Sequence, residues 1–196
     1  VRIWAAEKWE MRVKVELYMR VDILDEQAVP TGKTASLAEA NTQGLWRAGV
    51  HVGLYTADRR VLVQQRSKSL DLFPGMWELG VGGSVLAGES IYEAVLRVVD
   101  DELGVLAKNL QPVTRWKYNH QPPNSMLHPK VFLYAFVAQI DPAQLRLHQS
   151  QVHQVRLLPP REAHQTVFQP KGVPHVHLEP YQPYYRQILT AIEACF

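Results

Sequence analysis

The segment LFPGMWELGVGGSVLAGESIYEAVLRVVDDELGV, residues 72–105, constrains this chain more than any other. Its first half is crowded with glycine, the residue that lets a main chain turn sharply or approach another group closely, and Trp77 to Val85 reads as a glycine-rich strand. Its second half changes period. Ile91, Ala94, Val95 and Val98 recur at helical spacing, Ser90 opens the run and Gly104 stops it, so the spacing predicts one helix over residues 90–103. A strand that passes through glycines into an amphipathic helix carrying Asp101 and Glu102 belongs to a layered domain containing both element types.

The remaining chain supplies strands around this unit. Apolar residues alternate from Val13 to Leu24, and VDILDEQAVPTGK then reads as a hairpin or tight loop at Pro30 and Gly32. Ser36 caps a short helix over 36–43. Strands follow at 49–55 and 61–65 around the turn ADRR, then at 112–118, 131–139 and 152–158, with a final amphipathic helix over 184–194. The loop HQPPNSMLHP and the stretch QPKGVPHVHLEPYQP are too rich in proline for regular structure. With 21 basic and 19 acidic side chains the net charge is +2, and no basic run offers a field for a polyanion, so no nucleic-acid polymer is expected as partner. Cys195 stands alone, which excludes an internal disulfide and fits a cytoplasmic compartment. No stretch reaches the roughly 18–20 apolar residues of a membrane span, and the first ten residues lack the apolar core of a secretory signal. The regular fold is expected to begin at Met11 or later.

Gly83, Glu89, Arg97, Val99, Glu102, Gly104 and Val105 stand at the spacing G-x5-E-x7-R-E-U-x-E-E-x-G-U, where U is aliphatic, with Asp101 a conservative replacement. This pattern resembles the Nudix box. On a helix, positions 98, 101 and 102 lie three and four apart and share a face, so carboxylates there gather around a hard cation. Such a cation neutralises the dense charge of a pyrophosphate and lowers the pKa of attacking water. The resemblance implies an α/β (α+β) fold, the Nudix α/β/α sandwich around a mixed β-sheet. It also implies Mg2+ or Mn2+ held by Gly83 (through its carbonyl), Glu89, Asp101 and Glu102, with Glu102 and Arg97 as the catalytic residues. Glu93, Arg97 and Asp101 form an i, i+4 ladder that steadies the acidic face.

Over roughly residues 20–160 the chain is similar to the subgroup related to isopentenyl-diphosphate isomerase, through VDILDEQAVPTGK, GLWRAGVHVG, VLVQQRS and PGMW. The isomerase requires a cysteine two residues before a metal-binding histidine in the glycine-rich strand, and here those positions are Gly82 and Ser84. Two further departures concern charge. Val98 replaces a glutamate of the box, and Gln151 and Gln154 stand where a later acid is expected. Without the cysteine and histidine the isomerase reaction ranks third and is not expected, and the reading holds two functions ahead of it. One is metal-dependent hydrolysis of a diphosphate linkage in a nucleoside diphosphate bonded to another group. The other is a Nudix fold that binds a small-molecule ligand or a partner with little turnover. Expected organisation is residues 1–39 as an extension with a strand and turn, 40–170 as the Nudix domain and 171–196 as a proline-rich loop and helix. No membrane partner is expected, and a homodimer is left open. His51 reads as a hydrogen-bonded interior residue, His175 and His177 as surface residues, Trp77 as packing beneath the glycine strand, and Phe73 as a core side chain or a stacking partner for a base. Tyr181, Tyr184 and Tyr185 are candidates for a dimer or lid surface.

Overall fold

The computed structural model describes residues 19–70, 72–119, 121, 126–168 and 181–196. In chain order these form β1 (Arg20–Leu24), β2 (Pro30–Ser36), α1 (Leu37–Thr42), β3 (Trp46–Thr56), β4 (Val61–Arg66), β5 (Trp77–Leu79), β6 (Val81–Ser84) and α2 (Ile91–Leu103). There follow β7 (Lys108–Asn119), β8 (Lys130–Ile140), a 3-10 turn at Pro142–Gln144, β9 (Val152–Leu158), α3 (Pro160–Phe168) and α4 (Gln182–Glu193). The expected mixed α+β class is the one observed, with four α-helices among the described residues. None of these helices is long and apolar enough to cross a membrane. The alternation upstream of Arg20, and His175 and His177, lie outside the described residues.

The chain divides into two compact units, and β3, β7 and β8 supply residues to both. The first takes in residues up to Gly49, Ser84–Ile91 and Lys117–Leu133. Its β1 and β2 pair antiparallel from Arg20↔Ser36 to Leu24↔Pro30. The hairpin turns one step earlier than the sequence suggests. Asp25 Oδ1 accepts the N–H groups of Gln27 and Val29, each at 2.9 Å, so the carboxylate closes the turn and Pro30 becomes the first residue of β2. Ser36 caps α1 as expected: it accepts the Glu39 N–H, while Glu39 reaches back to the Ser36 N–H at 2.8 Å. Val21, Ile23 and Ala40 form this unit's small core, with Ala35, Leu37 and Leu45 against it.

The second unit comprises Val50–Gly83, Tyr92–Trp116 and Tyr134–Phe196. Val50, Val52 and Leu54 of β3 are fully buried, as are Val61 and Leu62 of β4. β4 pairs antiparallel with β5 (Val63↔Leu79, Gln64↔Glu78, Gln65↔Trp77) and with β9 (Val61↔Leu158 through Arg66↔Val152). Gly80 separates β5 from β6 at φ +71, and a Cβ there would collide with the Val52 carbonyl oxygen. α2 buries Ala94, Val95, Val98, Val99 and Leu103, and Gly104 ends it at φ +61. α4 buries Tyr184, Tyr185, Ile188, Leu189 and Ile192, so Tyr184 and Tyr185 are interior residues and not a dimer or lid surface. Two elements depart from the sequence reading. β7 starts at Lys108, with Pro112 inside it, which is tolerated because β8 is its only partner among the described strands. α3 was not expected; Pro160 at its first position and the i, i+4 pair Ala163 and Val167, both buried, account for it.

Candidate active site

Register places the site's polar groups before any catalytic role is assigned. On β4, Gln64 and Arg66 are two residues apart and so share a face, and Gln64 stands opposite Glu78 of β5. Gln64 Nε2 donates to Glu78 Oε1 at 2.8 Å and to Glu102 Oε2 of α2 at 3.2 Å. Arg66 Nη1 donates to the same Glu78 oxygen at 2.8 Å. One amide therefore holds two carboxylates together. All three residues are interior: Gln64 is 1% exposed, Glu78 8% and Glu102 9%. Gln64 Oε1 is buried with no hydrogen-bond partner.

Glu102 also accepts a backbone hydrogen bond from Gly82 in the glycine-rich strand. Burial pushes its carboxyl up to about 8, and the Glu78 charge adds to the rise, while Arg66, the Gln64 amide and the Gly82 N–H oppose it. Burial pulls the Arg66 guanidinium down, but Glu78 and Glu102 outweigh it, so its pKa rises and it stays charged. The result is a buried pair of acids beside one guanidinium, with Glu102 keeping its proton up to about pH 8 in the metal-free chain.

The box residues are distributed unevenly. Val98 is 3% exposed, and a Cβ at Gly83 would meet its Cγ2 at 2.7 Å, so the position of the missing glutamate makes an apolar contact with the glycine loop. Val98 and Glu102 share the buried face, as expected. Asp101 does not join them: its side chain is 60% exposed and accepts from Arg97 Nη1 at 3.3 Å. The cause is the 100° step of an α-helix, which turns residue 101 away from the direction of residue 102. Arg97 thus forms the second rung of the expected ladder. Glu89, within the first unit, accepts the Leu86 N–H at 2.9 Å and so closes its own loop. Gln154 donates to Gln65 Oε1 at 2.7 Å, a neutral pair where an acid was sought. Among the described residues, no three His, Cys, Asp or Glu side chains group as a metal site.

Nearby aromatic and imidazole groups are structural. His51 is interior, with Nε2 on the Leu79 carbonyl and Nδ1 2.9 Å from Tyr184 Oη; the carbonyl can only accept, so Nε2 carries the proton and Nδ1 accepts from the tyrosine. Trp77 is buried, with the Arg156 guanidinium 4.4 Å from its ring centroid.

The glycine-rich strand followed by an acid-bearing helix is the element order the box spacing predicts, while only Glu102 of the two expected acids is buried. Residues 45–179 match the NUDIX domain. The chain belongs to the Nudix family. It is 30% identical over 140 residues to an uncharacterized Nudix hydrolase of Pseudomonas aeruginosa, an alignment spanning 71% of this chain and 78% of that protein. It is also 33% identical over 124 residues to an isopentenyl-diphosphate Delta-isomerase of Citrobacter koseri, covering 63% of this chain and 68% of that one. A crystal structure from Deinococcus radiodurans superposes with a TM-score of 0.62 at 18% identity, covering 90% of this chain and 99% of the other, which shows a shared fold. Missed by the sequence reading were Gln64, Arg66 and Glu78. The available signal was a charged residue inside the apolar triplet WEL, opposite an alternating strand that ends QQR.

Proposed function

We propose that this Nudix protein hydrolyses a diphosphate linkage in a nucleoside diphosphate bonded to another group, with Mg2+ or Mn2+ as cofactor. The observation that carries the proposal is Glu102, a carboxylate buried against the glycine-rich strand and tied to Gly82 N–H, beside a second acid. The donor set fits a magnesium ion, which takes one or two carboxylates and fills its remaining positions with water and phosphate oxygens. The orphaned Gln64 Oε1 and the crowded acids fit a cation as well. Bound there, the metal would neutralise phosphate charge and acidify a water.

The chain's own residues divide the remaining work. Glu102 and the Gly83 carbonyl would hold the cation. Arg97 pairs with Asp101 on the exposed side of α2, and Glu89 fixes the loop that leads into the helix. A panel of nucleoside diphosphate sugars, alcohols and dinucleoside polyphosphates tests the reading. Turnover that needs Mg2+ or Mn2+ and falls by about 100-fold or more in Glu102→Gln supports it. A second reading is favoured by the apolar contact of Val98 with Gly83: the same fold binds such ligands without cleaving them. Tight binding of panel members with no cleavage by the wild type would select it.

A further inference from the structure

The missing box glutamate leaves a gap in charge that the fold itself fills from another strand. We infer that Glu78 of β5, with Gln64 of β4, replaces the lost ligand at position 98, so that this chain holds its divalent cation between Glu78 and Glu102. The inference rests on the proposed metal dependence and names the residues that meet it.

Three observations carry the placement. Glu78 and Glu102 are brought to one side-chain amide, at 2.8 and 3.2 Å, from elements far apart in sequence. Both bonds to Glu78, from Gln64 and from Arg66, fall on Oε1, which leaves Oε2 as the ligating oxygen. Gln64 Oε1, on the same amide, is a buried acceptor with no donor, and an acceptor in that state is a ligand atom for a hard cation. Val98 adds the negative half of the argument. Its methyl group occupies the space over Gly83, so position 98 offers no carboxylate there. Arg66 orients Glu78 through their 2.8 Å contact, and it acts through Glu78 as a positioning residue.

The test reads cation binding directly. Mn2+ is titrated into the full chain by calorimetry, for the wild type and for Glu78→Gln, Glu102→Gln, Asp101→Asn and Asp100→Asn. Glu78→Gln is expected to lose affinity by about tenfold or more, as Glu102→Gln does, while exposed Asp100→Asn stays at the wild-type value. Because Glu78→Gln leaves the half-buried Arg66 beside a neutral partner and can fail to fold, paramagnetic broadening by Mn2+ is also read on the wild-type protein. Broadening centred on the backbone amides of residues 64, 78, 82 and 102 supports the site; broadening centred on residues 100 and 101 overturns it. Full affinity in folded Glu78→Gln overturns it, as does loss in Asp101→Asn alone or a wild type that binds no Mn2+. The two readings separate cleanly. Binding lost in Glu78→Gln with no diphosphate cleaved removes the hydrolase proposal and leaves the site, whereas metal-dependent hydrolysis untouched by Glu78→Gln removes the site and leaves the hydrolase.

Discussion

Val98 stands where the resemblance to the Nudix box implies a glutamate, and its surroundings set what its reversal would do. A glutamate there would place a carboxylate where a methyl group now touches Gly83, at a position 3% exposed. Uncompensated, that charge costs several kcal/mol. Val98→Glu is therefore expected to lower Tm in chelator and to regain much of the loss in Mn2+, since the new acid joins Glu102 on the buried face; a Tm indifferent to Mn2+ would place the new side chain away from the cation. Glu102 gives a second expectation. Its carboxyl is raised to about 8, so between about pH 4.5 and 8 the folded chain keeps a proton that the unfolded chain releases. The unfolded state then binds fewer protons, and stability falls as pH rises through that window, by on the order of a few kcal/mol. Urea midpoints of metal-free protein should decline across it, and Glu102→Gln should flatten the decline. The spacing rule located Gly83, Glu89, Arg97, Asp101 and Glu102 in the sequence. It could not locate Glu78, because Glu78 joins Glu102 only through the Gln64↔Glu78 register of β4 and β5. Register between strands leaves no fixed spacing to read.

Among the elements, those with strong local signals were legible and those defined by neighbours were not. α2 announced itself through its apolar period and its terminal glycine, and α1 through Ser36 and Glu39. The hairpin of β1 and β2 was read with its turn displaced, because Pro30 and Gly32 look like turn residues while Asp25 closes the turn with its side chain. The break between β5 and β6 shows how much one residue contributes. Gly80 has φ +71, and a Cβ would strike the Val52 carbonyl, whereas Gly88 at φ +78 faces open space. Gly88→Ala is expected to lose about 1 kcal/mol from backbone strain alone. Gly80→Ala carries the same strain plus a backbone clash and should lose clearly more, about 3 kcal/mol. Equal urea midpoints for the two variants would mean that β5 and β6 can shift to accept the methyl group.

For the molecule as a whole, family membership leaves two chemistries in view, since the chain aligns with both an uncharacterized Nudix hydrolase and an isopentenyl-diphosphate Delta-isomerase at comparable identity. Two positions in the glycine-rich strand make the choice testable. The resemblance to the isomerases implies a cysteine and a metal-binding histidine where this chain has Gly82 and Ser84. Neither can deliver or remove the proton that moves the double bond, and the one cysteine, Cys195, lies beyond α4 with its thiol donating to the Ala191 carbonyl. Nor is the cysteine easily restored. A Cβ at Gly82 would lie 3.1 Å from the Val50 carbonyl oxygen, tight enough that β3 or β6 must give way. The protein is therefore expected to show no exchange between isopentenyl diphosphate and its dimethylallyl isomer above background, with Mg2+ or Mn2+ present, in an assay that follows deuterium incorporation from solvent. Gly82→Cys alone should stay inactive and lose stability, because it adds a crowded thiol without the partner histidine. Robust deuterium uptake by the wild type would mean that another acid supplies the proton, and the division between hydrolase and isomerase drawn from Gly82 and Ser84 would fail.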